Sequence, residues 1–134
     1  MVLDPVTLEI KVYDPWIDID NRGIEKFTAL KVRNPRLKTM VAIGGYKDST
    51  DGTGKYSRLV SNAGSIQSFT ESAVRFLEKY NFDGLDLDWE YPATAADRAG
   101  FANLVIALKK AFAPKKFLLS AAVSARPSAI DIGN

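Results

Sequence analysis

Residues 82–92 read Phe-Asp-Gly-Leu-Asp-Leu-Asp-Trp-Glu-Tyr-Pro, and this segment carries the clearest structural pattern in the sequence. Acidic residues alternate in it with apolar ones, namely Asp86, Asp88 and Glu90 with Leu85, Leu87 and Trp89. Because successive side chains on a strand point to opposite faces, the alternation predicts a strand over residues 82–90. We expect the three acids to share one face of this strand and the three apolar residues to enter a core on the other.

Amphipathic segments on both sides of this strand predict helices. Apolar residues recur at helical spacing over residues 22–33 and 65–80. A third helix is expected to begin after Thr94, because Asp97 three residues later is typical of a capping box, and to end at Pro114.

Two nearly continuous apolar runs, residues 37–43 and 117–125, predict further strands that are covered on both faces. Alternation over residues 6–13 predicts one more short strand near the start. Helices and strands therefore follow one another in turn, which predicts an α/β fold with a parallel sheet and right-handed crossovers.

Three carboxylates on one face of a strand favour acid–base chemistry. Burying them side by side costs several kcal/mol, and crowding of like charges raises the pKa of at least one of them, as a general acid near neutral pH requires. Two other interpretations stay open. The acids could cap neighbouring loops at a solvated strand end, or they could bind Mg²⁺ or Ca²⁺, although no histidine or second acidic cluster completes a coordination shell. We expect no metal.

The composition narrows the function classes further. With 134 residues, 46% of them hydrophobic, and a net charge of +2, the chain matches one globular domain. Its charges are scattered, so we expect neither nucleic acid nor a membrane as partner. Its longest mostly apolar run, residues 117–125, falls short of the about 20 residues of a membrane-spanning helix, and no signal-peptide pattern is present. The chain has no histidine and no cysteine, which excludes histidine triads, thiolate catalysis and disulfides.

Residues 83–90 match the pattern Asp-Gly-x-Asp-x-Asp-x-Glu and resemble the fourth-strand signature of glycoside hydrolase family 18, while Tyr91-Pro92 is similar to the animal, especially arthropod, chitinases. Residues 40–46, Met-Val-Ala-Ile-Gly-Gly-Tyr, resemble the family's third-strand motif, in which a tryptophan commonly stands where this chain has Tyr46. The segments Asp14-Pro15-Trp16 and 119–123 also resemble chitinases. The resemblance implies a (β/α)8 TIM barrel. Residues 1–134 would be a partial catalytic domain covering roughly strands three to five.

The resemblance also implies a mechanism. Glu90 would protonate the glycosidic oxygen between N-acetylglucosamine units and later activate water, while the substrate's own acetamido oxygen acts as the nucleophile. Asp88 would hold the acetamido N–H, and Asp86 would share a proton with Asp88. No cofactor is implied.

Substrate binding is expected from residues after the strands. By the resemblance, Gly45 lets the substrate approach the backbone, and Tyr46, Tyr91 and Trp16 are candidate platforms for sugar faces. Packing within loops is the alternative role for Tyr46 and Trp16. The partner would be chitin or chitin oligosaccharides, and the location extracellular. Trp89 alternates away from the acids and is expected in the core.

Two other functions stay open beside the hydrolase. The chain could bind chitin oligosaccharides without cleaving them, or it could be an inactive fragment. The intact Glu90 favours the enzyme, because non-catalytic lectins of the family typically replace this acid. Three strands also leave two unpaired sheet edges, from which we expect self-association.

Overall fold

The computed structural model describes residues 1–124, which form five strands and six α-helices. The strands are β1 (Val2–Leu3), β2 (Ile10–Lys11), β3 (Met40–Gly44), β4 (Gly84–Asp88) and β5 (Leu118–Ala121). The helices are α1 (Gly23–Thr28), α2 (Leu30–Arg33), α3 (Tyr46–Ser49), α4 (Lys55–Val60), α5 (Ala63–Tyr80) and α6 (Ala95–Phe112). Short turns of π-helix (Trp16–Asp20) and 3₁₀-helix (Ala113–Lys115) complete the secondary structure of this part of the chain.

A parallel sheet of three strands, in the order β3-β4-β5, positions the acidic stretch at its centre. The register places Asp86 of β4 opposite Ala42 of β3 and Ser120 of β5. Helices α3 to α5 connect β3 to β4, and α6 connects β4 to β5. The predicted α/β fold with a parallel sheet is therefore confirmed.

Helices α5 and α6 cover one face of this sheet and form the core with it. The apolar residues of β4, Leu85 and Leu87, are 0% and 4% exposed. The buried apolar residues of the two helices are Ile66, Phe69, Ala73, Phe76, Leu77, Leu104, Leu108 and Phe112. Because the apolar side chains of β4 face these helices, its acids face the other side of the sheet.

Both long helices begin where a side chain caps the first turn. The Thr94 hydroxyl accepts a hydrogen bond from the N–H of Asp97, and the Asp97 carboxylate accepts one from the N–H of Thr94, which confirms the capping box. At α5, the Asn62 side chain accepts from the N–H of Ser65. Such a cap contributes about 1 kcal/mol.

The strand predicted over residues 6–13 is wrong in its first half. Asp4 accepts hydrogen bonds from the backbone N–H groups of Val6 and Thr7, and Leu8 has a φ of 56°, so this segment is a turn. Only Ile10–Lys11 is a strand, β2, and it pairs antiparallel with β1. A side chain that binds nearby backbone groups competes here with strand pairing.

The helix predicted over residues 22–33 is divided at Ala29 into α1 and α2. The Thr28 hydroxyl donates a hydrogen bond to the carbonyl of Ile24 at 3.1 Å, a contact that bends helices. The polar segment 47–55, for which no element is predicted above, forms most of α3 and reaches the start of α4. Both are too short for hydrophobic periodicity to reveal.

The other predicted elements are present with shifted ends. The strands predicted over residues 37–43 and 82–90 are β3 and β4, and the helix predicted over residues 65–80 begins two residues earlier, at Ala63. The strand predicted over residues 117–125 is β5, and Ala125 lies outside the described residues.

The strands β3 and β5 are the two edges of the parallel sheet within residues 1–124. The amino group of Met1 donates to the carbonyl of Ala42 at 2.8 Å, and the N–H of Gly44 donates to the carbonyl of Met1 at 3.2 Å. This contact covers one end of the β3 edge. Among the helices of residues 1–124, none combines the length and apolar character that a membrane crossing requires.

Candidate active site

The acids of β4 and of the residues after it lie on one side of the chain. Asp86, Asp88 and Glu90 are half-buried, whereas the residues between them are buried. Asp86 and Asp88 therefore share a face of β4, and Glu90 continues the same alternation of burial beyond the strand. Since β4 ends at Asp88, Glu90 stands two residues beyond the strand, at the carboxyl end of the sheet. Sites of barrel enzymes are built at this end.

Asp86 has a partner on the neighbouring strand that the sequence analysis missed. The hydroxyl of Ser120 donates a hydrogen bond to Oδ1 of Asp86 at 2.5 Å. The two residues face each other in the β4–β5 register, which brings them together. The proton that Asp86 is expected to share with Asp88 stays a prediction. Within residues 1–124, no three acidic side chains come together as a metal-binding group.

Two glycines, Gly44 at the end of β3 and Gly45 directly after it, lie close to Asp88. The N–H of Gly45 donates to the carbonyl of Asp88 at 2.7 Å. A Cβ on Gly44 would lie 2.2 Å from that same carbonyl oxygen, and the φ of Gly44 is +115°. A Cβ on Gly45 would lie 3.7 Å from the Asp88 carboxylate. The absence of a side chain at Gly44 therefore lets the backbone of Asp88 approach β3, while the approach of a substrate at Gly45 stays a prediction.

The expected aromatic platforms are exposed. The exposed fractions of Tyr46, Tyr91 and Trp16 are 68%, 53% and 66%. Tyr46 begins α3 directly after Gly45, and Tyr91 follows Glu90 through a cis peptide bond. Because β3 and β4 are parallel, Tyr46 and Tyr91 both lie at the carboxyl end of the sheet, where Glu90 also lies. Trp16 begins the π-helical turn before α1, and its contact with a substrate stays a prediction.

Trp89 belongs to the core, as expected. It is 7% exposed, its ring stacks on Tyr56 with centroids 5.7 Å apart, and it meets the edge of Phe101 at 6.0 Å. Packing in the core therefore fixes Trp89, the residue between the two catalytic candidates Asp88 and Glu90.

A buried ionic cluster behind the site was missed by the sequence analysis. Asp48 accepts hydrogen bonds from Nζ of Lys55 at 2.5 Å, from the Tyr56 hydroxyl at 2.6 Å and from the N–H of Leu3 at 3.1 Å. Asp51 is 2.8 Å from the same ammonium group. The polar segment 47–55 gave no periodic signal that could have located this cluster.

The environment of this cluster fixes the protonation of its members. Burial raises the pKa of the Tyr56 phenol, and its hydrogen bond to Asp48 raises it further, so the phenol stays neutral. Burial by itself lowers the pKa of Lys55, but the hydrogen bonds to Asp48 and Asp51 outweigh it, and the net shift is upward. Lys55 is therefore a charged, buried and paired ammonium group at neutral pH.

An open cleft of about 600 Å³ adjoins the turn after β3. Its walls include Tyr13, Gly44 and Lys47. Tyr13 is 73% exposed, and it adds an aromatic ring that the sequence analysis did not single out as a binding residue. The cleft leaves room for a ligand beside the Gly44–Asp88 contact.

Comparison with known proteins places these residues in a family. Residues 2–134 match the sequence profile described as glycosyl hydrolases family 18. The chain belongs to glycosyl hydrolase family 18. Probable chitinase 10 of Drosophila melanogaster is 43% identical to it over 141 residues, a match that covers 98% of this chain and 6% of that protein.

Solved family 18 structures share the fold. The Ostrinia furnacalis Group II chitinase catalytic domain 2 has a TM-score of 0.91 and 48% identity, with 98% of this chain and 36% of that one covered. A mutant of that domain in complex with penta-N-acetylchitooctaose, (NAG)5, has the same TM-score at 47% identity and the same coverage. These matches confirm the segment of a (β/α)8 barrel, and the chain spans about a third of the solved domain.

The first acid of the family 18 pattern, Asp83, lies at the opposite end of β4 from the site. Its carboxylate accepts from the N–H of Thr39 at 2.8 Å and lies 3.0 Å from Nζ of Lys31. Burial raises the pKa of Asp83, but these two partners outweigh it and the net shift is downward. Asp83 therefore joins α2 and β3 to the start of β4 and is not part of the reacting group.

Proposed function

We propose that residues 1–134 are part of a family 18 catalytic domain that hydrolyses β-1,4-linked N-acetylglucosamine chains. The observation that carries this proposal is the common face of Asp86, Asp88 and Glu90, with Glu90 at the carboxyl end of β4. The solved relative in complex with (NAG)5 supports chitin oligosaccharides as ligands. The intact acid at position 90 favours hydrolysis over sugar binding alone.

Glu90 is the proposed general acid and base. Its carboxyl group protonates the glycosidic oxygen as the bond to the anomeric carbon breaks, and its carboxylate then takes a proton from the attacking water. The acetamido oxygen of the sugar attacks the anomeric carbon, so the substrate supplies the nucleophile and the configuration is retained. Tyr46 and Tyr91 are the proposed platforms for the sugar rings, because both are exposed and directly follow the carboxyl ends of neighbouring parallel strands.

Asp88 and Asp86 assist through charge and orientation. The Asp88 carboxylate accepts the acetamido N–H and stabilises the positive charge that develops on the cyclic intermediate. Asp86 tunes Asp88 through a shared proton, and the Ser120 hydroxyl holds Asp86 in place. The remaining barrel strands must help to orient the sugar, because an error of about 1 Å can cost about 100-fold in rate. The activity is therefore proposed for a domain that contains these residues. We also propose an extracellular location, because the chain is similar to the animal chitinases of the family.

The acetamido group should be necessary for cleavage. In a catalytic domain that contains residues 1–134, we expect chitotetraose to be cleaved with retention and its deacetylated form to be cleaved at least about 100-fold more slowly, because the internal nucleophile is lost. Product analysis and NMR of the first anomer measure both effects. The acetylated and deacetylated tetramers have the same sugar chain and differ only in the acetyl groups, so each serves as the control for the other. Efficient cleavage of the deacetylated tetramer, or an inverted first product, would contradict the proposal.

The 134-residue chain by itself should self-associate through the edges of its parallel sheet. Unpaired strand edges favour pairing with another copy, and β3 and β5 are the sheet's edges in the described part of the chain. We expect sedimentation velocity to show oligomers, and Leu118→Lys on β5 to shift them towards monomer, because Leu118 is exposed on this edge strand. Ile106→Lys is the control, since Ile106 lies on α6 and is 64% exposed. A chain that sediments as a monomer at every concentration argues against this proposal.

A further inference from the structure

The residues after β4 are held by a side chain from the helix α3. Oγ of Ser49 lies 3.0 Å from the backbone nitrogen of Glu90 and 3.4 Å from the carbonyl oxygen of Asp88. The hydroxyl accepts a hydrogen bond from the N–H of Glu90 and donates one to the carbonyl of Asp88. It thus bridges the backbones of the two catalytic candidates at the point where strand pairing has ended.

Ser49 is itself fixed, because it is the last residue of α3 and this helix is anchored at both ends. At its start, the N–H of Gly45 binds the carbonyl of Asp88, and the N–H of Ser49 binds the carbonyl of Gly45 at 2.9 Å. At its other end, the neighbouring Asp48 is 8% exposed and is held by Lys55 and Tyr56. The bridging hydroxyl therefore has little freedom to move.

We infer that Ser49 is a positioning residue that fixes the backbone of Glu90 relative to Asp88. The inference rests on the proposed function in that Glu90 is taken as the acid. Removing the hydroxyl leaves the half-buried N–H of Glu90 without this acceptor. The backbone of residues 89–90 then loses one of the contacts that hold it in place. Because transfer of a proton to the glycosidic oxygen depends on sub-ångström placement, this loss lowers turnover more than it lowers binding.

Hydrogen exchange in the 134-residue chain tests the contact directly. In Ser49→Ala, we expect the amide of Glu90 to exchange at least about tenfold faster, as measured by mass spectrometry with fragmentation that resolves single residues. Ser49→Thr keeps the hydroxyl and should restore slow exchange. The matched control is Ser61→Ala, which removes an exposed hydroxyl that donates to the carbonyl of Arg58 at 2.8 Å, away from the acids. Unchanged exchange at Glu90 in Ser49→Ala overturns the inference.

Kinetics then test the catalytic consequence. In a catalytic domain that contains these residues, Ser49→Ala should lower kcat on chitotetraose about tenfold with KM unchanged, and Ser49→Thr should recover most of it. A kcat within twofold of the parent overturns the positioning role even where exchange at Glu90 has increased. Failure of the proposed function looks different: Glu90→Gln would then keep full turnover, while the exchange results would be unaffected.

Discussion

Replacing Glu90 with glutamine is expected to lower turnover of chitin oligosaccharides by about 10²–10⁴-fold, the range that general acid–base catalysis contributes. The amide keeps the size of the side chain and its place beyond β4, but it cannot donate the proton that the leaving oxygen needs. Binding of the oligosaccharide should be largely kept, because the exposed Tyr46 and Tyr91 are unchanged. The loss should therefore appear in kcat, with KM nearly constant.

The measurement compares hydrolysis and binding in one catalytic domain. Release of reducing ends gives turnover, and calorimetry with chitopentaose gives affinity. Glu71→Gln is the matched control, because Glu71 is exposed on α5 and accepts a surface hydrogen bond from Gln67, away from the acids of β4. Asp88→Asn should also reduce turnover severely. If Glu90→Gln kept turnover within about tenfold of the parent, Glu90 would not be the acid.

In a catalytic domain that contains residues 1–134, Gly44→Ala is expected to lower the free energy of unfolding by at least about 3 kcal/mol, since two costs coincide at one position. The φ of +115° is unfavourable for any residue with a Cβ, and the added methyl would lie 2.2 Å from the carbonyl oxygen of Asp88. Either β3 or the segment 88–90 must move. Turnover should consequently fall by about 100-fold even in the protein that remains folded.

A variant at a second glycine separates the cost of the unfavourable φ from the cost of the close contact with Asp88. Gly52 has a φ of +81°, but a Cβ there would meet nothing within 4 Å. Gly52→Ala should therefore cost only the about 1–2 kcal/mol of a left-handed backbone and leave turnover unchanged. Denaturant unfolding of both variants, with turnover of the same samples, measures the difference. Equal losses in the two variants would show that contact with Asp88 is unimportant.

Local patterns in the sequence predicted the parts of the molecule that depend on local geometry. The alternation around Asp86, Asp88 and Glu90 fixes which residues share a face, because the backbone of a strand imposes it. The capping box of Thr94 and Asp97 is likewise contained within four residues. The structure contains both features: the burial alternates along residues 85–90, and the capping box begins α6.

The features that were missed depend on contacts between distant residues or on side chains that compete with the backbone. Ser49 and Glu90 are 41 residues apart, and Ser120 and Asp86 are 34 apart, so no period connects them. Lys55 is one of two lysines in the polar segment 47–55, and no pattern in the sequence marks it as the one that is buried against Asp48. At residues 6–13 the alternating pattern is typical of a strand. The Asp4 carboxylate instead accepts hydrogen bonds from the N–H groups of Val6 and Thr7, and these residues form a turn.

The two faces of α3 have a consequence for how the sugar preference of such a protein could evolve. Asp48 points into the buried cluster, whereas Tyr46 and Lys47 of the same helix are exposed. Substitutions on the outer face alter what a ligand meets without touching the anchor that holds the helix. Natural drift or a laboratory library can therefore explore positions 46 and 47 widely, while position 48 tolerates little, so new specificities are reachable by single steps that leave the scaffold intact.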